Sequence, residues 1–208
     1  MPGPKPSQRL GPEPAPPPPA STADAAAPRW LREIRALDVA VYAAISASPT
    51  PTLDSGFAAL SRAADQSKLW VGVAGLLSTT GARGRRSAVS GLASIAVTSG
   101  VVNLILKPSR RRRRPDRTAY DVPVARHVDM PRSTSFPSGH AAAAFAFASG
   151  VAHDLPPAGI PLQAFAALVA YSRVHTGVHY PIDVVVGAIL GGALAPLTTA
   201  ALDRRRSS

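Results

Sequence analysis

The stretch Ser172-Arg173-Val174-His175-Thr176-Gly177-Val178-His179-Tyr180-Pro181-Ile182-Asp183 closes one apolar run and opens another. Pro181 suits the first turn of a helix, where its missing N–H is not needed, so the uncharged run 184–202 reads as a helix that begins here. His179 then sits just ahead of that helix and Asp183 lies within its opening turn. An Asp one turn from a His can accept the imidazole N–H, fix the tautomer and raise the basicity, leaving the other nitrogen free to attack. The pair reads as a nucleophile with its orienter. A proton relay is one alternative, and a metal site with His140, His175, His179 and Asp183 as ligands is another.

Working outward, five segments read as membrane-crossing helices: 69–82, 87–106, 139–153, 158–172 and 184–202, none with a charge at its centre. Arg83, Arg85 and Arg86 fill a short loop between the first two, and Arg204 to Arg206 follow the last. The positive-inside rule puts both groups on the cytoplasmic side, so loops 107–138 and 173–183 share the opposite, extracytoplasmic face. The run Arg110 to Arg114 argues against that orientation and asks for another explanation.

Composition agrees with a membrane protein. Of 208 residues, 46% are hydrophobic but only 5% aromatic, and alanine dominates, which suits helices packed through small side chains. The chain has no cysteine, so disulfides, thiolate catalysis and cysteine metal sites are excluded. A net charge of +11 invites a nucleic-acid reading. The basic run lacks interleaved aromatics or a recognition helix, however, and arginines beside apolar spans bind anionic headgroups or fix topology. Residues 1–28, with Pro12, Pro14 and Pro16 to Pro19, are expected to be a disordered tail, the proline run standing where a secretory signal would need its apolar core. Residues 29–66 have short, interrupted apolar runs. Segment 37–48 reaches only about 18 Å as a helix. Leu53, Phe57, Leu60 and Ala64 recur at helical spacing, so this part is expected to lie in the interface as amphipathic helices, an irregular sixth span being the alternative. The expected division is therefore 1–28 tail, 29–66 interfacial, 67–203 membrane domain and 204–208 basic cytoplasmic tail.

Two further motifs lie in the first outward loop. Lys107 and, seven positions on, Arg114-Pro115 form a basic pair at a span edge. Pro137-Ser138-Gly139-His140 precedes an apolar run, with Ser138 placed as N-cap and Gly139 letting a ligand approach the backbone, an arrangement that makes an anion site at a helix start. The cations Lys107, Arg114 and Arg173 would repel a divalent metal and attract an anion.

Together, Lys107 with Arg114-Pro115, then Pro137-Ser138-Gly139-His140, then Ser172-Arg173 with His179 and Asp183 closely resemble the three-part signature of the phosphatidic acid phosphatase type 2 superfamily, which also includes the vanadium haloperoxidases. The resemblance covers residues 69–202 in order and spacing, and it points to the bacterial membrane lipid phosphatases. It implies an all-α polytopic bundle, with His179 as the nucleophile that forms a phosphohistidine, Asp183 as its orienter and His140 as general acid. Lys107, Arg114, Ser138, Gly139 and Arg173 would hold the phosphoryl oxygens, with no metal and no cofactor. Arg110 to Arg113 and His175 lie outside the pattern, and those arginines read as solvated loop charge. The implied partner is a lipid phosphate in the cell membrane, not a nucleic acid. Polyprenyl diphosphate ranks first as substrate by family analogy; phosphatidate, phosphatidylglycerophosphate and a polyprenyl-phosphosugar present the same phosphoryl group. A soluble halide-oxidising enzyme and an inactive membrane scaffold are the rival readings.

Overall fold

The apolar periodicity of the chain becomes helix wherever the structure is described. The computed structural model describes residues 27–109 and 112–208, and among them there is no strand. The expected tail 1–28 therefore lies outside the described residues as far as position 26, as do Arg110 and Arg111.

Among the described residues, seven helices of eleven residues or more follow one another. They are α1 Arg29–Ala47, α2 Pro51–Ala63, α3 Lys68–Ser78, α4 Ala82–Gly100, α5 Gly139–Asp154, α6 Gly159–His175 and α7 Pro181–Ser207. Helix α4 continues through a wider, π-helical turn over Val101–Leu106 into Lys107–Ser109. Such turns re-aim the side chains that follow, and this one ends at Lys107.

The centre is α5. Its Ala141, Ala142, Ala144, Ala146, Phe147, Ala148 and Val151 are all buried, and it packs against α4, α6 and α7. Close approach depends on small residues. A Cβ on Gly191 of α7 would run into the Ala142 carbonyl and stand 2.7 Å from the Ala146 nitrogen of α5, and Gly187 meets the Ser138 carbonyl in the same way. Trp70 closes the other side, 5.2 Å from the Phe147 ring and 5.8 Å from Phe165.

Several boundaries differ from expectation. Helices stand at all five expected spans, but only Ala82–Ser109 and Pro181–Ser207 are long and apolar enough to cross a membrane by themselves. At 11 residues, α3 reaches about 17 Å and stops four residues short of its expected end. Arg83, Arg85 and Arg86 form no loop: they stand in the first turns of α4, whose start at Ala82 follows Gly81 at φ 99°. The loop after α6 is likewise shorter than expected, 176–180, because α6 runs on to His175. Helix α1 starts eight residues before position 37 and spans 19 residues.

The amphipathic helices α1 and α2 turn their polar stripe inward. Asp38, Tyr42 and Ser46 of α1 and Asp54, Ala58 and Ser61 of α2 are buried, whereas Leu37, Val41 and Leu53 are exposed. Periodicity reveals a stripe but not which side faces the protein: polar residues pack inward here and Leu37, Val41 and Leu53 face out, although Phe57, Leu60 and Ala64 of the expected stripe still pack against the bundle. Every inward partner lies at one end of the bundle. Asp38 accepts from the Ile182 N–H (2.8 Å), Asp54 from Arg126 (2.8 Å), Ser61 from Arg173 (2.5 Å) and Asp65 pairs with His140 (2.8 Å).

Candidate active site

The end of the bundle covered by α1 and α2 is where the three motifs meet. Lys107 arrives from the π-helical turn of α4, Ser138 to His140 from the start of α5, Arg173 from the last turn of α6, and Asp183 from the first turn of α7, with His179 in the connecting turn. That turn is tight: the Val178 and His179 N–H groups both return to the Arg173 carbonyl (3.0 and 3.1 Å), and Gly177 takes φ 69°, with no room for a Cβ against Arg117.

His179 is 2% exposed. Its Nε2 lies 3.1 Å from Arg114 Nη1. A guanidinium only donates, so Nε2 accepts and the ring proton sits on Nδ1. Nδ1 faces Asp183 Oδ2 at 3.5 Å and the Ser135 hydroxyl at 3.4 Å, and Ser135 donates to the same carboxylate oxygen. The tautomer is the one the sequence predicts, but the Asp183 contact is long and the Ser135 hydroxyl sits alongside it. Burial pushes the His179 imidazolium down to about 3; the Asp183 hydrogen bond opposes this, and the positive charge of Arg114 adds to it. At neutral pH the ring is uncharged and its lone pair is available.

The cations converge on the same place. Arg114 bonds the Ser133 and Thr134 carbonyls and the Val178 carbonyl (3.0, 3.2 and 3.0 Å), joining the two motif loops. Lys107 and Arg114 both reach the Ser133 hydroxyl at 3.3 Å. Arg173 is fully buried; its Nη1 meets Ser61 and Asp65, but its Nε and Nη2 have no hydrogen-bond partner among the described residues. Two buried cationic donors without acceptors favour an anion. Ser138 caps α5 through the Ala141 N–H (3.4 Å), and its own N–H bonds the Asp183 carbonyl (2.8 Å), tying the starts of α5 and α7 together. A Cβ on Gly139 would lie 3.6 Å from Lys107 Nζ, an ordinary contact, so the protein's own packing does not demand glycine there.

Asp65 is a residue that the sequence reading passed over. It takes the His140 Nε2 hydrogen bond at 2.8 Å and lies 3.5 Å from Arg173. The His140 bond holds its carboxyl below the usual carboxylate range, against the opposing effect of burial. Gln66 and Ser67, just after it, both take positive φ (55° and 60°), a local distortion beside the carboxylate. Ser135, Asp38 and Arg117, which leaves Nε and Nη2 unpartnered, are equally absent from the reading. No short-range pattern marks them, because each acts across a large sequence separation.

The metal alternative loses its geometry. His140 pairs with Asp65, His175 with Asp54 (3.0 Å) and His179 with Asp183, three different carboxylates, and among the described residues no three ligand-type side chains gather. His175 belongs with Arg126 and Asp54 in a buried cluster that staples α2 to α6. Arg112 is not solvated loop charge as expected. It donates to Asp183 Oδ1 (2.7 Å) and Asp38 Oδ2 (2.5 Å), while Arg113 is exposed.

Comparison with known proteins places this geometry. The family model described as the PAP2 superfamily matches residues 88–207. Decaprenylphosphoryl-5-phosphoribose phosphatase of Mycolicibacterium smegmatis is 36% identical over 152 residues, 72% of this chain and 78% of that one. The protein of the same name in Mycobacterium tuberculosis is 36% identical over 106 residues, and the match spans about half of each chain, 49% here and 54% there. Lipid A 1-phosphatase of Rhizobium etli is 34% identical over 51% of this chain and 47% of that one. The crystal structure of Aquifex aeolicus LpxE superposes with a TM-score of 0.66 at 25% identity, covering 79% of this chain and 95% of that one. A transmembrane phosphatidylglycerolphosphate phosphatase of Bacillus subtilis shares the fold, with a TM-score of 0.64 at 24% identity over 83% and 87%. The motif order read along the sequence, the cation-lined end of the bundle and a family match reaching from α4 through α7 agree, and the chain belongs to the PAP2 superfamily.

Proposed function

We propose that the chain is an integral, multi-pass membrane phosphatase that hydrolyses a lipid phosphate at the extracytoplasmic surface through a phosphohistidine on His179. The observation that carries the reading is the Nε2 of a buried, neutral His179 facing Arg114 beside the unpartnered donors of Arg173. Phosphoryl oxygens take the Arg114, Arg173 and Lys107 donors and the α5 N-terminus at Gly139. Nε2 bonds to phosphorus as the lipid–oxygen bond breaks, and His140 gives its proton to the departing oxygen. A water molecule then gives a proton to His140 and attacks phosphorus, releasing phosphate and restoring His179. The cationic groups neutralise charge on the transferring group, the work a magnesium ion does in other phosphatases, so turnover is expected to survive excess EDTA.

For the substrate, the M. smegmatis relative favours a polyprenyl-phosphosugar phosphate over the polyprenyl diphosphate ranked first by family analogy. An apolar crevice of about 290 Å³ between α6 and α7, lined by Tyr171, Val174, Pro181 and Val184 among others, begins beside the motif turn and suits an acyl or prenyl tail. The test is a panel of polyprenyl-phosphosugar phosphate, polyprenyl diphosphate, phosphatidate and phosphatidylglycerophosphate, scored as phosphate release by purified protein with EDTA present. Preference for the first, with inhibition by vanadate, is expected. Release from none of them, or release that returns only with added Mg²⁺ or Zn²⁺, overturns the reading.

A further inference from the structure

We propose that Arg112, clamped by Asp38, is a positioning residue that holds Asp183 against His179. The inference rests on the phosphatase reading above. Arg112 spends both ends of its guanidinium on carboxylates, Nη1 on Asp183 Oδ1 at 2.7 Å and Nη2 on Asp38 Oδ2 at 2.5 Å, and its plane stacks on Tyr180 at 4.3 Å. Both terminal nitrogens are thereby engaged by carboxylates. Asp183 is fully buried, and its other oxygen takes the Ser135 hydroxyl and the Tyr180 N–H (3.0 Å) while facing His179. Arg112 thus supplies the carboxylate's only partner on Oδ1 among the described residues.

Asp38 completes the arrangement. Its second oxygen accepts the Ile182 N–H at 2.8 Å, so one carboxylate fixes both the Arg112 fork and the first turn of α7. Two buried carboxylates held apart by one guanidinium have a defined spacing; without the guanidinium they repel each other. Asp38 sits on α1, outside the residues matched by the family model, so the N-terminal helix supports the catalytic pair from beyond the shared core.

A support acting through Asp183 alters the rate of the chemical step and leaves substrate binding alone. The test uses full-length protein in detergent with p-nitrophenyl phosphate as substrate and orthovanadate as binding probe. Wild type must turn over and His179→Ala must not; if that fails, the phosphatase reading itself fails and the clamp is not reached. With that established, Arg112→Gln is expected to lower kcat by about 10–100-fold, with KM and the vanadate inhibition constant within about threefold. Arg112→Lys should recover part of the loss, since a lysine reaches one carboxylate but not both. Asp38→Asn should give the same split more mildly and decides the matter if Arg112→Gln does not fold. A kcat within twofold of wild type in these variants overturns the proposal. So does a rise in KM and in the vanadate constant with kcat preserved, which would make Arg112 a phosphate ligand.

Discussion

At the scale of single residues, the site separates two histidines by what they touch. His179 presents a bare Nε2 to Arg114, whereas His140 presents Nε2 to a carboxylate. On the proposed mechanism His179→Ala removes the atom that bonds to phosphorus, so no leaving group should rescue it. His140→Ala removes only a proton donor, and p-nitrophenyl phosphate, whose phenolate departs without one, should recover most of the activity that a lipid alkoxide loses, on the order of 10²–10⁴ in rate. Rapid-quench labelling with a ³²P substrate checks this: acid-labile label that persists in His179→Ala, or rescue of that variant by the phenolate, reverses the two roles. Burial of His179 also has a pH consequence. Its folded value of about 3 lies below the ordinary imidazole value, so between the two the unfolded chain binds a proton that the folded chain does not. Stability is therefore lost as pH falls through that window. A Tm that drops less from pH 6.5 to 4 in His179→Asn than in wild type is the expected sign, and an equal drop rejects it. The residues proposed to touch substrate were legible in the sequence because each belongs to a short motif. Asp65, Ser135, Arg112 and Asp38 were not, since their links to His140 and Asp183 cross as many as 75 positions with no local spacing to mark them.

At the scale of elements, the existence of helices was readable and their facing was not. An apolar stripe on α1 and α2 predicts amphipathic helices, yet their buried residues include Asp38, Ser46, Asp54 and Ser61. Hydrophobicity cannot orient a helix whose outer surround is itself apolar, and the polar stripe then becomes the one that packs. Asp54 shows why that face is buried: although burial pushes its carboxyl upward, hydrogen bonds from Thr50, Arg126 and His175 hold it below the usual range. Helix α7 offers a sharper test through two neighbouring glycines. A side chain on Gly191 collides with α5, whereas Gly192 faces open space. Gly191→Leu should cost about 1–3 kcal/mol or more by overpacking and, because α7 carries Asp183, should reduce activity as well. Gly192→Ala should change stability by no more than about 1 kcal/mol. Thermal unfolding in detergent reads both, and equal effects at the two positions would mean that α5 and α7 do not meet as described.

At the scale of the whole molecule, the two ends of the bundle carry different kinds of positive charge. Arg83, Arg85 and Arg86 begin α4 and Arg204 to Arg206 end α7, and these meet at the end opposite the site, where Arg206 lies 3.5 Å from Asp154, itself bonded by Ser90 of α4 (2.5 Å). Most of that charge is exposed, the kind that holds a loop in the cytoplasm. The site end also carries arginines, and several of them are engaged internally, Arg112 by two carboxylates, Arg126 by Asp54, and Arg114 by carbonyls and His179, while Arg113 and Arg132 are exposed. The basic run that argued against an outward site is thereby explained in part, since a neutralised arginine is a weak topological signal. Asp38 of α1, Asp54 and Ser61 of α2 and Asp65 just after it all bond groups at the site end, the arrangement expected of interfacial helices rather than of a sixth span. Because the chain has no cysteine, single introduced thiols map the topology cleanly. Val124 is 81% exposed in the loop between α4 and α5, so with the site facing outward Val124→Cys should react with a membrane-impermeant maleimide in intact cells, and Arg29→Cys at the start of α1 should react with it too. Ser207→Cys should react only after permeabilisation. Labelling at 207 with protection at 124 would invert the orientation. Labelling at 124 with protection at 29 would restore the sixth span, because α1 would then itself have to cross the bilayer from Arg29 to the site end that Asp38 contacts.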